Sequence, residues 1–336
     1  MGSKRLLTVA RVGLVLLLPF LSLDLRIAQA DSSQRRIEIG ILQWTESPAV
    51  FTWNREGFIE GMKGLGYEEG RNVRFDIKIA EGDREKAKEI ARTFVKRRVD
   101  LICALGTIPS LVALEATREI PIVYSNVGEP KATGIIDSWG SSGRNITGVS
   151  MKIPVEKQLE MVQRALPKAK KLGILYCSST PQAMATAEEA RGSAKRFGIR
   201  PYPISLPSDH LSQFPLIAQN LAKQVEAIYI PTDPILTAKK NLLKIMEAAF
   251  KFRVPIIVVS DDAVELGALM ALHCDFREIG RQAAPMAVKI LKGMRPTDIP
   301  SQMPLSHRLT VNLRTAKQLG IRLDPHFLSL AHRVIE

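Results

Sequence analysis

The chain has 336 residues, 46% of them hydrophobic, with a formal net charge of +13. That length supports one large domain or two of ordinary size, each with a substantial core. The positive balance does not mark a nucleic-acid binder. The cations are spread over many segments, in short clusters such as Lys168 to Lys171, and read as solvated helix faces.

At the N-terminus, Lys4 and Arg5 precede an apolar stretch from Val12 to Leu23 and then the small-residue triplet Ala28-Gln29-Ala30. This is the three-part layout of a secretory signal peptide over residues 1–30, cleaved after Ala30, which places the mature chain in the periplasm. The apolar core is shorter than the ~20 residues that cross a bilayer. An uncleaved anchor is the alternative, and Pro19 with the Ala-x-Ala site favours cleavage. No cysteine follows the apolar core to carry a lipid. Removing the segment takes away four basic residues and one acidic one, which lowers the formal charge from +13 to +10.

Beyond it, short β-branched runs alternate with helical patterns. Ile37 to Leu42 reads as a strand, followed by a helix with Phe58, Met62 and Leu65 on one face. Arg84 to Arg98 carries Ala87, Ile90, Ala91, Phe94 and Val95 at helical spacing and feeds a buried strand from Leu101 to Leu105. Alternation of this kind predicts an α/β fold with parallel strands and crossover helices.

The pattern occurs twice. In the first half a helix ends at Leu65-Gly66-Tyr67, and strand, helix, Val99-Asp100-Leu101-Ile102, helix and Ile120-Pro121-Ile122-Val123 follow. The second half repeats this from Phe197-Gly198-Ile199 through Val225-Glu226-Ala227-Ile228 to Val254-Pro255-Ile256-Ile257. Each glycine stands where a helix end favours a left-handed residue, and each proline opens a strand. Two equivalent lobes are expected, with a hinge at Gly140 to Val149. The expected boundaries are 36–150 with about 276–304 for the first lobe, 151–275 with about 305–325 for the second, and a tail over 326–336. A helix from Arg277 to Lys292 returns to the first lobe, with Pro285 expected to shorten or kink it. Cys103, Cys177 and Cys274 each lie in an apolar strand-like run and read as buried thiols, with a single bridge left open.

Five segments in this order carry a resemblance. They are Arg55-Glu-Gly-Phe-Ile-Glu-Gly-Met-Lys-Gly-Leu-Gly-Tyr67, Asn145-Ile-Thr-Gly-Val149, Pro154-Val-Glu-Lys-Gln-Leu159, Ala227-Ile-Tyr-Ile-Pro-Thr-Asp233 and Thr315-Ala-Lys-Gln-Leu-Gly-Ile321. Through them the chain resembles ABC-transporter substrate-binding proteins related to the tryptophan-binding lipoproteins of Gram-positive bacteria. The resemblance implies the type I periplasmic binding protein fold, two doubly wound parallel-sheet lobes joined by hinge strands. It implies an extracytoplasmic monomer without a cofactor that binds an amino acid or similar carboxylate-bearing metabolite. Its partners would be an ABC permease in the inner membrane and that permease's cytoplasmic ATPase. A soluble sensor that passes ligand state to a membrane partner is the alternative.

In open α/β sheets ligands sit at the carboxyl ends of strands, which selects the candidate loops. In the first lobe these give Gln43, Trp44, Glu46, Gly106, Thr107, Ser125, Asn126 and Glu129. In the second they give Ser178, Ser179, Thr180, Thr232, Asp233, Asp261 and Asp262. Gly106-Thr107 and Ser178-Ser179 precede helix starts, whose free amides can hold a carboxylate. Glu129, Asp233, Asp261 and Asp262 offer partners to an ammonium group, and Trp44 offers a flat surface for stacking. Thr107, Ser179 and Asp233 have a second reading as helix caps.

An enzyme is not expected. The chain has no G-x-S-x-G, no H-E-x-x-H, no P-loop and no G-x-G-x-x-G after a strand. Its five histidines are scattered without metal-ligand spacing, so no metal site is expected either. A repressor needs a helix-turn-helix ahead of the lobes, where the export signal stands instead.

Overall fold

The computed structural model describes residues 36–336, so the expected signal segment lies outside the described residues. Five strands form the first sheet: β1 (Ile37–Gln43), β2 (Val73–Ile79), β3 (Leu101–Leu105), β4 (Ile122–Val127) and β5 (Ile146–Ser150). They are all parallel, in the order β2-β1-β3-β4-β5. The second sheet contains β6 (Lys171–Cys177), β7 (Arg200–Leu206), β8 (Ala227–Tyr229), β9 (Ile256–Val258), β10 (Met270–His273), β11 (Arg308–Asn312) and β12 (Arg333–Ile335). Its order is β12-β11-β10-β9-β8-β6-β7, with only the β10–β11 pair antiparallel. Strands β6 to β10 therefore repeat the order of β1 to β5, and the duplication expected from sequence is present as topology.

The helices that cover the sheets are α1 (Trp53–Gly64), α2 (Arg84–Arg97), α3 (Thr107–Ala116), α4 (Val155–Ala165), α5 (Pro181–Ser193), α6 (Phe214–Ala222), α7 (Lys239–Phe250), α8 (Asp261–Glu265), α9 (Phe276–Leu291), α10 (Leu313–Leu319) and α11 (Pro325–Leu328). Sequence chemistry explains where they stop. Gly66 and Gly198 adopt φ of +90° and +66°, which ends the preceding helix in a left-handed turn. Asp83 caps α2 by accepting from the amides of Glu85 and Lys86 at 2.7 and 3.1 Å. Every residue of β3 is buried, as its unbroken apolar run requires of a central parallel strand. Cys103, Cys177 and Cys274 are free and buried.

Helix α9 leaves the second sheet and packs on α1 beside the first. A Cβ placed on Gly57 would stand 1.9 Å from the Arg277 carbonyl oxygen, and one on Gly280 would stand 2.0 Å from that of Asn54. The two backbones thus touch where only glycine fits. Asn54 Nδ2 donates to the Phe276 carbonyl at 2.9 Å, and Glu60 pairs with both Arg277 and Arg281. Pro285 does not shorten this helix, which runs 16 residues through it. Its ring lies on the exposed face, and the Arg281 carbonyl, deprived of its usual partner, lies against Gly61 of α1.

The first crossing between sheets also differs from expectation. Ile146–Ser150 is the edge strand of the first sheet, so the chain crosses after Ser150, over 151–154, and not at Gly140 to Val149. The chain also passes between the sheets at 274–275 and 303–307. Gln302 is bonded into the first sheet through the Ser150 amide at 2.8 Å and the Gly148 carbonyl at 3.0 Å before its chain continues to β11. None of the described helices is long and apolar enough to cross a membrane.

Candidate functional site

The carboxyl ends of β1, β3 and β4 face those of β8 and β9 across a cavity of about 380 Å³. Gly128 of the first lobe and Thr232 of the second nearly meet at one side, where a Cβ on Gly128 would be 3.6 Å from Thr232 Cγ2. Seven candidate residues line this cavity: Trp44, Gly106, Thr107, Asn126, Glu129, Thr232 and Asp233.

The wall of the first lobe is built from strand ends and one unusual turn. The amides of Val50, Phe51 and Thr52 all donate to the Ser47 carbonyl, at 3.3, 3.0 and 3.2 Å, in a π-helical turn that leads into α1. This swings Phe51 over Gly106, where an added Cβ would be 3.0 Å from Phe51 Cε1. Gly106 also has φ of +107°, so glycine is required there on two counts. Beyond Gly106, the amides of Thr107 and Ile108 open α3 without intrahelical partners, and Pro109 has no amide to offer. All three residues from Gly106 to Ile108 line the cavity.

Asn126 follows on the next strand. Its φ is +61°, at a point where the β4–β5 register shifts between Ser125 and Val127. It is 5% exposed, and its Oδ1 is buried without a hydrogen-bond partner. Glu129, also buried, accepts from Lys152 Nζ at 2.9 Å and from the Thr186 hydroxyl of α5 at 3.1 Å. Lys152 lies on the first crossing and pairs with Glu189 of α5 at 2.6 Å as well. One half-buried lysine therefore ties a loop of the first lobe to a helix of the second. Burial pushes the Glu129 carboxyl above the usual carboxylate range, against the pull of Lys152. Burial also opposes the charge on Lys152, yet the hydrogen bonds it donates to Glu189 and Glu129 hold its pKa above the ordinary lysine value.

Asp233 lines the cavity, and its oxygens accept three hydrogen bonds from the fold. Oδ2 accepts from the Cys177 amide at 2.6 Å, and Oδ1 accepts from the amides of Ile235 and Leu236, both at 3.0 Å. The side chain is a cap and a tie to β6, and burial raises its pKa against those three amides. Three of its acceptor sites are thus committed to the fold.

The remaining candidates are not brought to the cavity. Gln43 is buried and braces its own loop, donating to the Thr45 carbonyl at 2.7 Å and accepting from Arg55 at 2.9 Å. Glu46 is exposed, and Ser125 is sealed inside β4. Ser178 and Ser179 turn toward β7, where the Ser178 amide bonds the Leu206 carbonyl and the Ser179 hydroxyl accepts from the Ser208 amide at 2.9 Å, and the Thr180 amide donates back to the Cys177 carbonyl at 3.2 Å. The helix they precede opens with Pro181, which supplies no amide for an anion. Asp261 and Asp262 line a second cavity of about 560 Å³, where Asp261 pairs with Arg333 at 2.6 Å and stands 3.6 Å from His273.

Several wall residues had no signal in the candidate loops. Phe51, Val259 and Phe276 add apolar surface to that of Trp44, while Gln182 and Thr237 add polar groups. Phe51 and Phe276 sit where a turn and a crossing segment aim them, which linear spacing does not reveal. Among the lining residues no lysine or arginine appears.

Two doubly wound lobes that enclose a ligand-sized cavity at their strand ends define a type I, two-lobed binding protein. The chain belongs to the ABC transporter substrate binding protein family, whose model matches residues 38–335. This is a ligand-binding family and not an enzymatic one, and its members are extracytoplasmic. Among its relatives is a tyrosine-binding protein of Clostridioides difficile, 28% identical over 290 residues, which cover 86% of this chain and 83% of that one. Two of the similar solved structures come from such proteins. One is an ABC domain from Streptococcus pneumonia in complex with L-Trp, with TM-score 0.75, 25% identity and coverage of 90% of this chain and 100% of that one. The other is a ligand-free, open substrate-binding protein with adhesive properties from Clostridium difficile, with TM-score 0.79, 27% identity and coverage of 89% and 99%.

Proposed function

We propose that this chain is the periplasmic binding component of an ABC importer and that its cleft holds an aromatic amino acid. The observation that carries this reading is one cavity combining the rings of Trp44, Phe51 and Phe276 with the free amides at the start of α3. The rings offer flat apolar surface to an aromatic side chain, and the amides offer partial positive charge to its carboxylate. Around 380 Å³ lies in the range of small-molecule sites. The tyrosine-binding and L-Trp-bound relatives support the same ligand class.

In this reading the lobes comprise 36–150 with about 276–304 and 151–275 with about 305–325, and ligand biases their closure about the crossings. The contact of α9 with α1 supports the assignment of the first of these returns. Export follows removal of residues 1–30, and the closed form docks on a permease whose ATPase lies in the cytoplasm. A thermal-shift panel of amino acids, carboxylates and sugars tests the ligand class. L-Tryptophan or L-tyrosine is expected to raise Tm. A neutral sugar that does so while every carboxylate-bearing compound fails would overturn the reading.

A further inference from the structure

We propose that Asn126 accepts a hydrogen bond from the ligand's α-ammonium group and thereby selects amino acids over the corresponding deaminated acids. The inference rests on the aromatic amino acid reading above and gives it a specificity residue. The carboxylates that sequence chemistry offers for this task are engaged elsewhere. Asp233 serves three backbone amides, and Glu129 serves Lys152 and Thr186. Asn126 is different: it lines the cavity, it is 5% exposed, and its buried Oδ1 has no partner. A buried acceptor without a donor needs an explanation, and a donor brought by the ligand supplies one.

Backbone geometry argues in the same direction. Asn126 holds φ at +61°, in a region that residues other than glycine seldom occupy, at the register shift of β4. Such irregularities re-aim a side chain at a strand end, and they cluster at ligand sites. Its position relative to α3 also fits one particular chemistry. The Gly106 amide donates to the Ser125 carbonyl at 2.9 Å, so the Thr107 amide and the Asn126 side chain each lie one residue past the same bond on adjacent strands. Groups on neighbouring strands are about 5 Å apart. An anion site and an amine acceptor at that separation suit a carboxylate and an ammonium group borne on one carbon.

Calorimetric titration of the parent protein, Asn126→Gly and Asn126→Asp tests this, with L-tryptophan, L-tyrosine, indolepropionic acid and hydroxyphenylpropionic acid as probes. Glycine keeps the left-handed backbone and removes the acceptor, while aspartate keeps an acceptor. Asn126→Gly is expected to bind the amino acids roughly ten- to a hundredfold more weakly and the deaminated acids unchanged. Asn126→Asp is expected to retain the preference for the amino acids. If Asn126→Gly weakens both classes equally, or neither, the assignment is overturned while the ligand class stands. If the parent binds neither amino acid, the ligand class itself falls and the assignment with it.

Discussion

Asp233 shows how a residue at a ligand cavity can be committed to the fold. Three amides converge on its carboxylate, including that of Cys177 on a different strand. Asp233→Ala leaves those donors without their acceptor in a site that is 2% exposed. We expect a loss of about 2–4 kcal/mol in urea unfolding. A variant that weakens ligand binding with its unfolding midpoint unchanged would show that the carboxylate serves ligand directly. From sequence, the capping and binding readings of this aspartate were equivalent, because both place it just past a strand end. Only the Cys177 amide, 56 residues away, separates them.

At the scale of elements, the crossing of α1 and α9 sets a steric limit on substitution. Gly57→Ala or Gly280→Ala drives a methyl group into a neighbouring carbonyl, at 1.9 or 2.0 Å in the present backbone, so the helices must separate. The expected cost is about 3 kcal/mol or more, read as a lowered Tm. Gly192 within α5 is the contrast, since a Cβ there meets nothing within 4 Å. Gly192→Ala is expected to stabilise by roughly 0.5–1 kcal/mol, because a helix-interior glycine gains only ordered backbone. Equal responses at the two sites would refute the contact argument. Element boundaries were legible where local chemistry dictates them: Gly66 and Gly198 at helix ends, Pro121 and Pro255 before strands, the apolar run of β3. The edge position of β5 was not, because it depends on pairing with β4, whose register partners from Ile122 to Ser125 lie 24 residues earlier in the chain. The π-helical turn that aims Phe51 was hidden for a different reason: its bonds to the Ser47 carbonyl are local, but no residue pattern announces them.

For the whole molecule, the duplicated pattern in sequence became a repeated strand order, since both halves solve the same packing problem with the same alternation. What couples the halves could not be read there. Lys152, Glu129 and Glu189 are separated by 23 and 37 positions and meet only once both lobes are folded and near each other. Glu129 has its folded pKa raised by burial, so its contribution to stability is complete below its ordinary value of 4.5 and is lost as pH rises through the raised value. Lys152 holds that rise in check. Lys152→Met therefore leaves two carboxylates unopposed, and we expect it to lose roughly 2–3 kcal/mol at neutral pH. The variant should recover part of this loss as pH is lowered from about 8 to about 5, and more steeply than the parent. Thermal unfolding across that range provides the measurement. Parallel pH profiles for the two proteins would mean that the lysine does not govern Glu129.

The placement of the three tryptophans has an optical consequence. Trp44 walls the cavity, Trp53 is 48% exposed beside the second cavity, and Trp139 packs against the core of the first lobe. An indole ring that passes from water to a dry, ligand-filled surrounding shifts its emission to the blue, whereas one already in a core keeps its spectrum. Intrinsic fluorescence of the unlabelled protein should thus report occupancy through Trp44 and closure through Trp53, over a steady background from Trp139. Trp44→Phe would silence the first of these signals while preserving an aromatic wall, so the chain carries its own two-channel sensor for the ligand it awaits.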